Sequence, residues 1–144
     1  AQNIHFFTED LIFRLNNKTK IREWLRHAAR EEGYRIAEIS FIFCSDNYLL
    51  EMNRTYLNHD TFTDIITFDN STVPGKLAGD IYISLPRIRE NAKIFGVPED
   101  AELCRVMIHG ILHLCGYGDK KKDEKVLMRE KEDTYIRLYK TKAI

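Results

Sequence analysis

The decisive stretch of this sequence is IHGILHLCGYGD, residues 108–119. Its two histidines stand four positions apart, and residues four apart lie on the same face of an α-helix. His109 and His113 can therefore direct ring nitrogens toward a common point, which is the usual spacing of two metal ligands on a helix. The stretch predicts a helix that carries two ligands of one metal ion.

The end of this helix predicts a third ligand. Gly116 stands three residues after His113, where a glycine can adopt the left-handed conformation that ends a helix. The turn would bring Asp119 toward the histidines. The resulting pattern H-x-x-x-H-x-x-G-x-x-D has the spacing of the metzincin zinc motif, with Asp in place of its third His. Three protein ligands leave one coordination position for water, as catalytic zinc sites require. The pattern therefore predicts a metal-dependent hydrolase.

The residues around the histidines predict a buried helix. Apolar side chains surround it on most sides, whereas the polar ones form a single stripe of Glu102, Arg105, His109 and His113. Because an unpaired buried polar group costs about 1 to 3 kcal/mol, this stripe needs partners. A cleft that holds a metal would supply them.

Two positions within the motif limit the chemistry. Gly110 stands where metalloproteases carry the glutamate that acts as general base, so a peptidase, kept as an alternative, would lack its proton acceptor. A metal lowers the pKa of water to about 7 and stabilises charge on a phosphoryl oxygen, so phosphodiester hydrolysis needs less help from a neighbouring carboxylate. Cys115 falls on a different helix face from His113 and is predicted to belong to the core.

The rest of the chain predicts an α+β fold. Four segments have strand patterns: a short one that starts at Ile4, then Ala37–Cys44, Thr61–Phe68 and Leu77–Leu85. The last two are predicted to form a hairpin around Pro74 and Gly75. Helical patterns cover Asn17–Gly33, a segment N-capped by Ser45, Arg87–Phe95, Asp100–Leu114 and Asp123–Tyr139. We expect residues 1–144 to form one domain, with about four strands, about five helices and the metal site at the end of the central buried helix.

The composition narrows the cellular setting. The 144 residues include 22 basic and 22 acidic side chains, so any nucleic acid must meet a local basic patch rather than a net charge. Cys44, Cys104 and Cys115 lack C-x-x-C spacing and lie in apolar stretches, which is typical of reduced, buried thiols in a reducing compartment. Neither a secretory signal nor a membrane span is recognisable, so we expect a cytoplasmic protein with no membrane partner.

At this point the sequence resembles a known family, the YbeY-type bacterial rRNA maturation factors. His109–Tyr117 follow the family motif H-G-x-L-H-L-x-G-Y-D-H, and the segments 52–56, 63–68 and 79–81 resemble its second helix and two of its strands. The resemblance implies a small mixed sheet packed with helices, a zinc ion, and a single-strand-specific endoribonuclease acting in rRNA maturation and ribosome quality control. It implies RNA and the ribosome as partners, with no DNA expected.

The chain departs from the family pattern at two places. Asp119 takes the position of the third metal histidine, and Gly118 that of the preceding aspartate. A carboxylate ligand makes the ion a weaker Lewis acid and admits harder ions such as Mn²⁺, so other divalent metals can replace zinc. Leu57 and His59 replace two basic residues of the family, which removes an expected phosphate contact and leaves the catalytic residues unassigned.

Several local basic groups are candidates for contact with RNA. They are Arg87, Arg89 and Lys93 on one helix, Lys120–Lys122 beside the motif, and Arg54 and His59 as replacements for the missing basic side chains. The alternative interpretation of each is a solvated surface residue. The loss of basic residues also keeps open an assembly factor that binds metal and RNA without cleaving.

Overall fold

The structure is a computed structural model that describes residues 3–141. Within this range the elements are, in chain order, β1 Ile4–Thr8, α1 Lys18–Glu31, β2 Arg35–Cys44, α2 Asp46–Leu57, β3 Ile65–Asp69, β4 Lys76–Ser84, α3 Leu85–Phe95, α4 Glu99–Leu114 and α5 Lys122–Thr141. The prediction of about four strands and about five helices is confirmed.

The four strands form one mixed sheet in the order β1-β2-β4-β3. β1 and β4 flank β2 in parallel, with Ile4 opposite Ile39 and Phe41 opposite Ile81. β3 pairs with β4 in antiparallel orientation, as the hairpin prediction required. The α+β class inferred from the mixed order of elements is confirmed.

The predicted strand Thr61–Phe68 is too long at its beginning. β3 starts only at Ile65, because the preceding residues are bonded to other elements: Asn53 donates its side-chain amide to the Thr61 carbonyl at 2.8 Å, and the Asp64 carbonyl accepts from the Ser84 amide at 3.0 Å. The predicted strand Leu77–Leu85 likewise ends at Ser84. Residues 61–64 therefore form a loop at the end of the sheet.

Serine caps start the two helices that follow β2 and β4. The Ser45 hydroxyl accepts a hydrogen bond from the Tyr48 amide at 3.1 Å, as the sequence predicted, and the Ser84 hydroxyl accepts one from the Arg87 amide at 3.2 Å. Each cap satisfies one amide that the first helical turn leaves without a partner. The two caps direct α2 and α3 away from adjacent strands of the sheet.

α4 is the central helix of the fold. It packs against β3 and β4 and against α1, α3 and α5, and its apolar side chains are buried on most sides. Gly110 allows the close approach to the sheet: a Cβ atom there would lie 3.0 Å from Ile81 Cδ1 and 3.2 Å from Ile65 Cδ1. None of the helices in residues 3–141 is long and apolar enough to cross a membrane.

Candidate metal centre

His109, His113 and Asp119 come together at one end of α4. One potential ligand atom from each lies within 4.8 Å of the others. The Asp119 Oδ2 atom is 3.2 Å from His109 Nε2 and 3.4 Å from His113 Nε2, and the two rings stand nearly perpendicular at 84°. The convergence expected from the helical spacing is therefore present.

The turn after α4 positions both His113 and Asp119. Gly116 has a φ of 103°, a left-handed value that a residue with a side chain adopts only with strain. The turn brings the Tyr117 carbonyl to 2.9 Å from His113 Nδ1, which donates to it. Nε2 of His113 is then the nitrogen left to face Asp119 and to bind an ion.

His109 is oriented by a residue that the sequence did not reveal. Its Nδ1 atom donates to Glu132 Oε2 of α5 at 2.6 Å, and Glu132 is only 5% exposed. Acidic and basic residues alternate along this last helix, which is typical of a solvated face, and the buried Glu132 departs from that pattern. The carboxylate fixes the tautomer of His109 so that Nε2 faces the centre.

The charges around His109 control its protonation. Burial lowers the pKa of His109, but the hydrogen bond and charge of Glu132, with the charges of Asp119 and Asp64, outweigh burial and raise the pKa above its usual value. The anionic surroundings therefore favour a positive charge at this position. A divalent cation would satisfy the same field.

The polar stripe of α4 obtains most of its partners from α5. Arg105 donates to Glu132 at 2.9 Å and to Asp133 at 2.7 Å. Glu102 is buried, and burial together with the charge of Asp64 raises its pKa. The expectation that the stripe needs partners holds, but helix packing supplies those of Arg105 and His109.

A cleft of about 920 Å³ opens over this centre and contains a second residue that sequence reasoning missed, Asp64. Its carboxylate lies 3.4 Å from the Asn91 side-chain amide, and burial raises its pKa despite the opposing charge of His109. The available signal was its place in the segment 63–68, where a charged residue precedes a run of strand residues.

The predicted RNA-binding residues divide into two groups. Lys120 and His59 line the cleft. By contrast, Arg54 is bonded to Glu51 and Asp60, and Arg87 to Asp46 at 2.6 Å. Arg89 lies 3.8 Å from Glu99, while Lys93, Lys121 and Lys122 are exposed and outside the cleft lining. The cleft therefore gathers few of the basic candidates.

The cysteines are not ligands of this centre. Cys44 and Cys104 are buried and Cys115 partly so, all three are free thiols, and burial raises the pKa of each to about 12. Among residues 3–141, the ligand atoms that cluster at this centre come from His109, His113 and Asp119, and no cysteine is among them. The prediction that Cys115 packs with the core is confirmed.

The peptidase alternative meets a steric obstacle at Gly110. A glutamate there would extend into Ile81 and Ile65, which already lie within van der Waals distance of a single added carbon. A general base at this position would have to displace the core of the sheet. The absence of a glutamate after His109 is therefore built into the packing of α4.

A comparison with known proteins identifies the family. The family model described as Endoribonuclease YbeY matches residues 3–140. The chain belongs to the YbeY family. A curated Endoribonuclease YbeY of Cytophaga hutchinsonii is 51% identical over 139 residues, which cover 96% of this chain and 97% of that protein. That of Christiangramia forsetii is 52% identical over 136 residues, 94% of each chain.

A solved structure has the same architecture. The solution structure of a Thermotoga maritima protein superposes with a TM-score of 0.64 at 28% identity, covering 94% of this chain and 88% of that one. Membership of the YbeY family confirms the resemblance drawn from the motif segments, and with it the prediction of a hydrolase that acts on RNA phosphodiester bonds.

Proposed function

We propose that this chain is a single-strand-specific endoribonuclease of rRNA maturation and ribosome quality control, with one metal ion held by His109, His113 and Asp119. The observation that carries the proposal is the convergence of two imidazoles and one carboxylate at the wall of an open cleft. Two nitrogen donors and one oxygen donor fit zinc, and the carboxylate admits harder ions such as Mn²⁺.

The bound ion would lower the pKa of a water molecule and polarise a phosphoryl oxygen. Residues of this chain would orient the metal ligands and transfer the proton. Glu132 and the Tyr117 carbonyl hold the two imidazoles with Nε2 toward the centre. Asp64, whose raised pKa lets it exchange a proton closer to neutrality, lies in the cleft where RNA would bind and is our candidate for proton transfer.

Ribosomal RNA is the proposed substrate, the ribosome the proposed partner and the cytoplasm the proposed location. The three free thiols, two of them buried and one partly buried, support a reducing compartment. Sedimentation of the protein with ribosomal particles from a cell extract would test the partner. If the protein stayed in the soluble fraction under every salt condition, a role on the ribosome would be contradicted.

The proposal is tested with His113→Ala and with His27→Ala as the control, because His27 lies on α1 and outside the cleft. We expect His113→Ala to lose both the bound metal, measured on the purified protein, and cleavage of single-stranded RNA, while its folded structure persists. His27→Ala should retain both. RNA binding without cleavage at any metal supplement would instead indicate an assembly factor and contradict the nuclease.

A further inference from the structure

Large apolar side chains are exposed on the wall of the metal-centred cleft. Phe62, in the loop before β3, is 52% exposed, and Phe95, at the end of α3, is 57% exposed. Both line the same cleft as His109 and Asp119, as does the exposed Leu57. Exposed aromatic side chains in a cleft are a common sign of a ligand that covers them.

The charges of the cleft argue against binding through phosphates alone. The acidic lining residues are Asp64, Asp69, Glu102, Asp119 and Glu132, and the basic ones are Arg105, Lys120 and Arg129. Arg105 is already paired with Glu132 and Asp133, and Arg129 lies 3.7 Å from Glu132. Few cations remain to neutralise a polyanion, so the affinity for RNA needs another source.

Phe62 is held in place as an aromatic platform. The Arg87 guanidinium lies over its ring at 5.3 Å from the centroid, and Asp46 holds that guanidinium through a 2.6 Å bond. A ring fixed in this way loses little side-chain freedom when a base stacks on it. Leu57 and His59 line the same cleft as Phe62.

We propose that Phe62 and Phe95 form a stacking subsite for unpaired nucleobases of the RNA whose scissile phosphate lies at His109, His113 and Asp119. This subsite rests on the proposed function. Every base has a face that can stack on an aromatic ring, but a base inside a duplex has both faces covered by its neighbours. The two phenylalanines therefore select unpaired RNA. Stacking on them supplies affinity that the few unpaired basic side chains of the cleft do not provide.

The test compares Phe62→Ala and Phe95→Ala with two matched controls. Phe7→Ala removes a ring that is also 52% exposed but lies on β1, outside this cleft, and Ile94→Ala removes the exposed neighbour of Phe95 on α3. In the metal-loaded enzyme with a short unstructured oligoribonucleotide, we expect KM to rise about tenfold for each cleft phenylalanine, with kcat nearly unchanged. The controls should behave as wild type.

Two further readouts separate stacking from a structural effect. Phe62→Trp should restore KM, and its fluorescence should be quenched by RNA over the constant signal of the buried Trp24. The logarithm of the RNA affinity should fall with the logarithm of salt concentration. The slope should correspond to the neutralisation of only about one to two phosphates. A steep slope, or an unchanged KM in both alanine variants, would overturn the subsite.

The subsite can also fail separately from the nuclease. If the wild type cleaves nothing, anisotropy with the same oligonucleotide still measures binding, and equal affinity of the alanine variants and controls would overturn the subsite. If gel filtration shows a dimer that both alanine variants dissociate while KM stays constant, the phenylalanines form a contact between copies of this chain, and the stacking role is rejected.

Discussion

Nδ1 of His109 lies 2.6 Å from Oε2 of Glu132, a buried carboxylate that stands 23 residues later in the chain. This contact joins the candidate metal centre on α4 to the packing of α5. Carboxylates that accept a hydrogen bond from a metal-binding histidine orient its ring and raise its basicity. The contact therefore makes the last helix part of the metal centre.

Replacement of Glu132 should weaken metal binding. Glu132→Gln keeps an acceptor for His109 but removes the charge, so we expect metal affinity to fall about 10-fold, and toward 100-fold in Glu132→Ala. Competition with a chromophoric chelator measures the affinity. The control is Glu130→Gln, an exposed residue of the same helix. An affinity equal to wild type in both Glu132 variants would show that His109 does not need this partner.

Asp119 should determine both the presence and the preference of the ion. Asp119→Ala removes the single oxygen donor of the three ligands, so we expect the purified variant to lose most of its metal. Asp119→His restores three ligands with a nitrogen donor and should shift the preference from Mn²⁺ toward Zn²⁺. Elemental analysis after loading from an equimolar mixture tests both outcomes. Full metal occupancy in Asp119→Ala would remove this residue from the ligand set.

Replacement of Asp64 by asparagine should abolish cleavage but increase the stability of the metal-free protein at higher pH. Burial holds its folded pKa above the ordinary 3.8, so the unfolded chain releases this proton first and the free energy of unfolding falls as the pH rises through the interval between the two values. Asp64→Asn cannot ionise. We expect the metal-free variant to be more stable than wild type above that interval and equal to it below pH 3.8, while the metal-loaded variant loses cleavage.

Denaturant unfolding across the pH range measures the first effect, and cleavage with confirmed metal content measures the second. Asp69→Asn changes an exposed carboxylate of the same cleft and serves as the control. If Asp64→Asn retained wild-type cleavage, Asp64 would have no part in proton transfer.

Glu32 should stabilise the turn that carries Asp119. Its side chain is 7% exposed and accepts hydrogen bonds from Tyr117 at 2.5 Å, from Lys131 at 3.1 Å and from Tyr135. Burial raises its pKa, but the three donors outweigh burial and lower it below 4.5. Glu32→Gln should cost about 1 to 3 kcal/mol of unfolding free energy near neutral pH.

This difference has a defined pH dependence. A depressed folded pKa contributes stability above the ordinary value of 4.5, and that contribution is lost as the pH falls through the folded pKa. Denaturant titrations should therefore show the wild type and Glu32→Gln converging in acid. Glu31→Gln, an exposed neighbour, should match wild type at every pH. A constant difference down to the acid limit would mean that the charge of Glu32 is not responsible.

Two glycines should differ in their tolerance of one added methyl group. A Cβ at Gly79 would lie 2.4 Å from the backbone carbonyl oxygen of Phe68, which is fixed in the pairing of β3 with β4. At Gly110 the obstacles are side-chain atoms of Ile81 and Ile65 at 3.0 Å or more, and alanine favours the helix. We expect Gly79→Ala to be the more destabilising by about 1 to 3 kcal/mol in urea unfolding. The reverse order would contradict the close strand contact.

Local patterns were sufficient to predict the motif and most elements. The convergence of His109 and His113 on one helix face follows from the helical repeat. The turn at Gly116 that brings Asp119 toward them follows from the way glycine ends a helix. Both depend on neighbours within a few residues. The strand predicted from Thr61 was wrong at its start for the same reason, since the bonds from Asn53 and Ser84 that fix this loop come from other elements.

The partners of the motif were decided by the packing of distant elements. Alternating charges on α5 did not reveal that Glu132 is buried against His109, because only the docking of α5 on α4 determines which face meets the centre. Phe62 and Phe95 entered the cleft in the same way, from a loop and from the end of another helix. Helical periodicity links residues a few positions apart, whereas contacts between elements arise only when the chain buries its apolar faces.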